Sequence, residues 1–378
     1  MDIKLREENA IGGDVPPDMV NWSNLPLDIV EGIIGRLGWR DRCCMRAVCK
    51  AWSSVSATHI PSIDKFPWAL KRYSVTDHEY QLIYPPLHKQ VPPFRREEIQ
   101  IFHKARAHAS SYGWVLFEAV TNPHGLGNFL LNSSTFFLYS PFTSEVITLP
   151  ESDLPEIHVA TFSLDATSPK CVIFGLRKTW KKISIYICSP GDIAWKKYEF
   201  GFDLDKPVEH AAYAGGIFYC VFLGGELGAF NLQLKEWTML TLKGLPDVSF
   251  YEARLIASDG DLRVIDHFGT KDLKLLKFDF SKKRWVKENS LNNRVLFIGD
   301  TCFSCPAVGE LSQLANHVFS CWWWYPHVRC YGTKSDSLQC QNWAQTAESS
   351  WIWIEFPSNG IWRANDLMAA RLESLALS

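Results

Sequence analysis

An all-β body behind a small all-α head is the fold the sequence predicts, on three observations. Apolar residues recur at helical spacing from Asn24 to Ala57. Beyond residue 65 they fall instead in short β-branched and aromatic runs punctuated by Gly, Pro, Asn and Asp. A repeat of about 46 residues then runs through the strand-rich part. Residues 1–20 are expected to be a disordered N-terminal segment, 21–60 the head, 61–363 the body, and 364–378 a short closing helix or tail.

In the head, Ile29, Val30, Ile33, Ile34 and Leu37 make one broad stripe of a helix that opens near Pro26 and stops at Gly38. A second helical stretch begins near Arg40, where Met45, Val48, Cys49, Trp52 and Val55 share a face. Gly32 and Gly35 each cost about 1 kcal/mol relative to alanine, so local propensity does not hold the first helix. About forty residues bury too little apolar surface to fold well alone. The two apolar faces therefore need packing against the body or another protein.

The body contains the runs "GWVLFEAV", "FFLYS", "CVIFG", "ISIYICS", "GGIFYCVFL" and "RVLFIG". Tyr139 precedes Val146 by seven residues, as Phe230 precedes Trp237 and Phe278 precedes Trp285, while Tyr186 precedes Trp195 by nine. Turn formers lie between, as in "FNLQLKEW" and "FDFSKKRW". The leading aromatics lie 47, 44 and 48 residues apart. Such hairpins at this period predict the blades of a β-propeller of kelch or WD type. Units at roughly 111–150, 157–203, 207–243 and 251–290, with room for one more at each end, predict about six blades.

Composition narrows the function classes. A formal net charge of −2 gives no global field for nucleic acid or anionic lipid, so neither is an expected partner. The N-terminus has no apolar core of a signal peptide, and no apolar run approaches the roughly 18 residues of a membrane span. Eleven cysteines without a framework fit reduced thiols, which predicts a cytoplasmic or nuclear protein.

The stretch from Leu25 to Trp52, "LPLDIVEGIIGRLGWRDRCCMRAVCKAW", resembles an F-box, matching it at Leu25, Pro26, Ile29, Ile33, Leu37, Asp41, Val48, Cys49, Lys50 and Trp52. Cys43 and Cys44 depart from the larger residues usual there. Beyond it, "PWAL", "GWVLF", "YSPFTSEVITLP" and "LFIGDTCFSCPA" resemble the kelch-related C-terminal domain of plant F-box proteins. The resemblance implies a non-catalytic subunit of a Skp–cullin–F-box ubiquitin ligase. Leu25, Pro26, Ile29, Ile33, Ile34, Leu37, Val48, Cys49 and Trp52 would contact the Skp-type adaptor, and through it a cullin. A kelch-like propeller would select an unidentified protein target. The competing readings are a regulatory protein that uses the same modules without ubiquitylation, and a propeller hydrolase.

Catalytic and metal readings compete only locally. Cys49 sits in an apolar stripe that keeps a thiol protonated, and no Walker loop, G-x-S-x-G or H-E-x-x-H motif occurs. Cys302, Cys305, His317 and Cys321 have a spacing that a structural zinc site uses. Strand alternation, however, aims Cys302 and Cys305 at opposite faces, so no metal and no cofactor is expected. The basic run from Arg177 to Lys182 reads as a solvated turn, His103 and His108 are too loosely placed to be a ligand pair, and Asp259 and Asp261 read as turn residues. Polar loops at 121–128, 201–209 and 331–350 are the expected reading surface.

Overall fold

The structure is a computed structural model that describes residues 25–36, 52, 67–72, 80–83, 105–121, 133–141, 145–151, 154–242, 244, 248–266, 274–320, 329–332 and 350–355. They fall in two compact units, with residues 25–52 in one and 67–355 in the other. In the first, helix α1 (Leu27–Arg36) begins after Pro26, which fixes φ and lacks an N–H the first turn could not pair, with Asp28 complementing the N-terminal dipole. The second helical stretch lies outside the described residues except Trp52, which is helical and buried.

The second unit is a β-propeller. It opens with β1 (Trp68–Arg72) and β2 (Tyr80–Ile83), which pair antiparallel. The first four-stranded blade is then β3 (Ala105–Ser111), β4 (Trp114–Thr121), β5 (Ser133–Ser140) and β6 (Glu145–Thr148). The second is β7 (Val159–Phe162), β8 (Ile173–Thr179), β9 (Lys182–Cys188) and β10 (Lys196–Gly201). The third is β11 (Val208–Ala214), β12 (Ile217–Phe222), β13 (Leu227–Asn231) and β14 (Glu236–Thr241). The fourth is β15 (Arg254–Ser258), β16 (Asp261–Asp266), β17 (Lys274–Asp279) and β18 (Arg284–Lys287). All four are antiparallel meanders.

The fifth blade departs from the meander. Its strands β19 (Arg294–Ile298), β20 (Cys302–Pro306), β21 (His317–Ser320) and β22 (Arg329–Gly332) lie in the order β20-β19-β21-β22. β19 and β21 are parallel, and a 3-10 turn at Gly309–Leu314 helps carry the chain back across. Finally β23 (Ser350–Ile354) pairs antiparallel with β1, from Trp68 opposite Ile354 to Arg72 opposite Ser350, in a three-stranded sheet β2-β1-β23. Against the expected six, five four-stranded blades are present among the described residues. The period over-counts because the segments flanking the four recognised units do not each form a blade: β3 belongs to the first unit, and β1 and β23 share a sheet.

Turn chemistry sets the registers. Tyr112-Gly113, Gly215-Gly216 and Asp259-Gly260 each occupy a two-residue hairpin loop with both φ values positive, the conformation that matches strand twist. At the outer hairpins, Asn231 Oδ1 accepts from the N–H groups of Gln233 and Leu234, and Asp279 Oδ1 from those of Ser281 and Lys282. These turns place Phe230 opposite Trp237, Phe278 opposite Trp285 and Tyr139 opposite Val146. Tyr186 instead faces Lys197. Trp195 lies before β10, packs edge-on to Phe136 at 5.6 Å and donates through Nε1 to Pro150 O at 3.0 Å, leaving its own blade for the previous one.

That stitch recurs. Trp285 Nε1 donates to Gly225 O of the third blade at 2.7 Å, and Trp353 Nε1 to Ile298 O of the fifth at 3.1 Å. The apolar core is likewise a set of layers between neighbouring sheets, such as Phe174, Ile185, Phe218 and Phe230 between the second and third blades. Trp285→Phe keeps the ring but leaves the buried Gly225 carbonyl without its donor, which should lower stability by about 1–3 kcal/mol. Chemical denaturation checks this; an unchanged midpoint and slope would show that the stitch contributes nothing.

Candidate functional site

The innermost strands β3, β7, β11, β15 and β20 surround the propeller axis, with β23 between β20 and β3. Alanines such as Ala107, Ala109, Ala160 and Ala211 let them approach closely. Residues from the starts of these strands line one mouth of the axial channel, and residues from their ends line the other. The two cavities, about 200 and 220 Å³, share His210 and Ala211 as a common wall.

The mouth at the strand ends is rich in hydroxyls. Ser110, Ser111, Tyr112, Ser163, Ser258 and Ser304 line it, with Arg294, Asp259 and Glu355. Arg294 is fixed by three donations: to Asp259 Oδ2 at 2.5 Å, to Ser304 Oγ at 2.6 Å and to Ser304 O at 2.9 Å. Glu355 Oε2 accepts from Tyr112 N at 3.3 Å and Ser111 Oγ at 3.4 Å, and burial raises its carboxyl pKa. Ser110 Oγ is buried with no partner in the structure.

The opposite mouth is lined by imidazoles and guanidiniums: Arg106, His108, His158, His210 and Arg254, with Glu209 and Asp300. Burial lowers the pKa of His108, yet Nε2 lies 2.7 Å from Glu118 Oε2. Burial alone would raise the Glu118 carboxyl, but the His108 bond and Ser134 bring it below its ordinary value. The pair is thus a neutral imidazole donating to a carboxylate. His158 is lowered by burial, and its Nδ1 accepts from Lys178 N at 3.1 Å, which puts the ring proton on Nε2. Arg254 is half-buried, its pKa lowered by desolvation, and it donates to Gly299 O at 3.1 Å and Glu252 O at 3.3 Å.

His210 stands between the mouths. Its pKa is lowered to about 3, first by burial and then by Arg254, and Nε2 lies 3.8 Å from Cys302 Sγ. Nδ1 is buried without a partner, an arrangement that costs about 1–3 kcal/mol until something hydrogen-bonds to it. None of the channel thiols is activated: burial pushes Cys302 up to about 12.

The proposed zinc ligands are not brought together. Cys302 faces the channel, whereas Cys305 packs with Phe297, Phe303 and Phe319 on the other side of β20. His317 Nδ1 donates to Ala315 O at 2.9 Å, and Cys321 lies outside the described residues. Among the described residues no group of three His, Cys, Asp or Glu side chains is placed to hold a metal ion. The basic turn is solvated as expected: Trp180 is exposed, and Lys182 and Lys197 both pair with Glu199, at 2.5 and 2.6 Å. Asp259 occupies a hairpin turn, while Asp261 pairs with Arg263 and Lys277 along the blade.

In the head, Pro26 and Ile29 are exposed, Leu25 and Ile33 half-buried, and Val30 and Trp52 buried. Leu37, Val48 and Cys49 lie outside the described residues, as does the side chain of Ile34. Of the expected reading loops, residues 122–128 and 333–349 also lie outside them. No helix among the described residues is long and apolar enough to cross a membrane.

Sequence reasoning set His108 aside as too loosely placed and did not weigh His158 or His210. Their signal is a second repeat: His108, His158 and His210 are 50 and 52 residues apart, each on or beside the innermost strand of its blade.

A propeller preceded by a short amphipathic helical head defines the class of an F-box protein with a propeller body, and comparison with known proteins agrees. The F-box domain model matches residues 22–62 and the KIB1-4 beta-propeller model residues 80–359. The chain belongs to the KIB1-4 β-propeller family. Among Arabidopsis thaliana relatives, it is 25% identical to an F-box/kelch-repeat protein over 89% of this chain and 95% of that one. It is 24% identical to an F-box protein over 89% of each chain, and 21% identical to another over 90% of this chain and 87% of that one.

Lowered pKa values at the buried His108 and the half-buried His158 and His210 make stability pH-dependent. A His whose folded pKa is lowered binds its proton more readily in the unfolded chain, so stability is fully present above about pH 6.5 and is lost as pH falls toward the folded value. For His210 alone, lowered from 6.5 to about 3, moving from pH 7 to pH 5 should remove about 2 kcal/mol. Denaturation at both pH values checks it, and His210→Gln should flatten the difference.

Proposed function

We propose that the protein is the substrate-recognition subunit of a Skp–cullin–F-box ubiquitin ligase, its head docking on a Skp-type adaptor and its propeller holding a target protein. The observation that carries this reading is the union, in one chain, of an F-box match over residues 22–62 and a propeller match over 80–359. On α1, Leu27 and Ile29 are 53% and 49% exposed beside fully buried Val30. Two positions apart they lie on different sides of the helix, and an aliphatic group left in water on either side is what a helix awaiting a partner presents.

In this reading Leu25, Pro26, Ile29, Ile33, Ile34, Leu37, Val48, Cys49 and Trp52 form the adaptor contact. The adaptor links the protein to a cullin, and catalysis belongs to other subunits. The contribution of this chain is proximity, which raises the effective concentration of a target lysine near activated ubiquitin. The head is assigned to residues 21–60 and the propeller to 61–363. The protein would work in the cytoplasm or nucleus, where its partners act.

Ile29→Glu tests the docking face without emptying a core, since the side chain is half exposed. A carboxylate forced into an apolar interface should weaken adaptor binding by at least 2 kcal/mol, about thirtyfold or more. Calorimetric titration of the full chain with the adaptor measures it, with circular dichroism as the folding control. Unchanged affinity in a folded variant would refute docking through this face. Target turnover that survives adaptor loss would refute the ligase role.

A further inference from the structure

We propose that the channel mouth formed by Arg106, His158 and Arg254 is a binding site for the oxyanion group of a small molecule, a phosphate or a carboxylate. Among the described residues Arg106 forms no ion pair; its guanidinium only approaches His158 O at 3.5 Å. A planar fork of N–H donors without a carboxylate, beside a cavity of about 200 Å³, suits a bidentate oxyanion. His158 adds a donor, because Nδ1 is taken by Lys178 N and the proton is on Nε2. Arg254 adds a second cation, with its Nε and Nη1 held on the carbonyls of Gly299 and Glu252.

Two acids share this mouth, and both have other work. Glu209 Oε2 accepts from Glu252 N at 2.8 Å, and burial raises its carboxyl pKa, which reduces its charge. Asp300 lies close enough to Arg254 to stabilise that guanidinium. Arg106 stands opposite Glu118 and helps keep that carboxylate ionised, but among the described residues it makes no direct ion pair, which leaves its N–H fork open to the cavity. His210 forms part of the same cavity wall, and its lowered pKa keeps it neutral there.

The test is calorimetric titration of the full chain with inorganic phosphate and, separately, with succinate, at constant ionic strength and neutral pH. Saturable one-to-one binding of at least one of them is expected, with Kd no weaker than about 10 mM. Arg106→Gln should weaken it about tenfold or more, and Arg106→Lys less, since the charge remains but the fork is lost. Arg284→Gln, on the exposed outer strand β18, should leave it unchanged. Preference for phosphate assigns the site to phosphate-bearing molecules, and preference for succinate to carboxylates. Absence of saturable binding by either probe would overturn the proposal, as would an Arg106→Gln protein that is folded and binds like the wild type.

Discussion

The fold depends on one strand pairing between opposite ends of the sequence. A blade cannot bury both faces by itself, and each apolar layer here exists only because a neighbouring sheet lies against it. In a ring that requirement has no natural end, so the first and last sheets would expose apolar faces unless the chain returned. The return is made by β23 on β1, where Trp351 and Trp353 bring their rings into one cluster with Ala69, Val295 and Phe297. Residues about 280 positions apart must meet before the last layer forms, which places this fold among the slow, high-contact-order topologies. The tryptophan stitches work over shorter range: each joins a blade to its predecessor, so register passes from sheet to sheet as the ring is built.

The same ring produces the channel and its polarity. Innermost strands that all run the same way collect their first residues at one mouth and their last residues at the other. Hairpin turns at the strand ends, with Tyr112 and Asp259 at positive φ, then supply backbone and hydroxyl groups to one mouth. The strand starts supply histidines and arginines to the other. Segregation of this kind needs no special device, because it follows from parallel placement of similar blades. What does need explaining is the burial of polar groups without partners at His210 and Ser110, since the fold tolerates such groups only where they are later satisfied or where stability is given up for function.

The sequence's legibility varied with the chemistry of each repeat. Phe230 with Trp237 and Phe278 with Trp285 were readable because an Asx turn of fixed length separates two large residues that face each other across a ladder. Tyr186 and Trp195 looked like a third copy, but the longer connection ending in Trp195 releases that ring to the preceding blade. The strand order of the fifth blade was unreadable, since a parallel pairing depends on a crossover that leaves no periodic trace. The channel histidines were also hidden. His108 lies between alanines and His210 precedes a pair of them, rather than lying among the large apolar residues by which strands are recognised, and nothing in "HKARAH" says that His108 will meet His210 across an axis. In the head, the apolar stripe announced a helix face, but only burial separates Val30 from the exposed Ile29.

The two halves of the chain pose opposite problems. The propeller closes on itself and leaves its unsatisfied groups polar and internal, where small hydrogen-bonding partners reach them. The head leaves aliphatic groups such as Leu27 and Ile29 exposed, where an apolar surface can cover them. An apolar face recruits by area, with little discrimination among complementary surfaces, whereas buried polar atoms reject whatever fails to pair with them. That division is what the proposed role asks of the chain, with a head that joins a common assembly and a body that chooses. The choosing surface should therefore be sought where polar groups are fixed by neighbours, as Arg294 is by Asp259 and Ser304, rather than on the scattered exposed apolar residues of the outer strands.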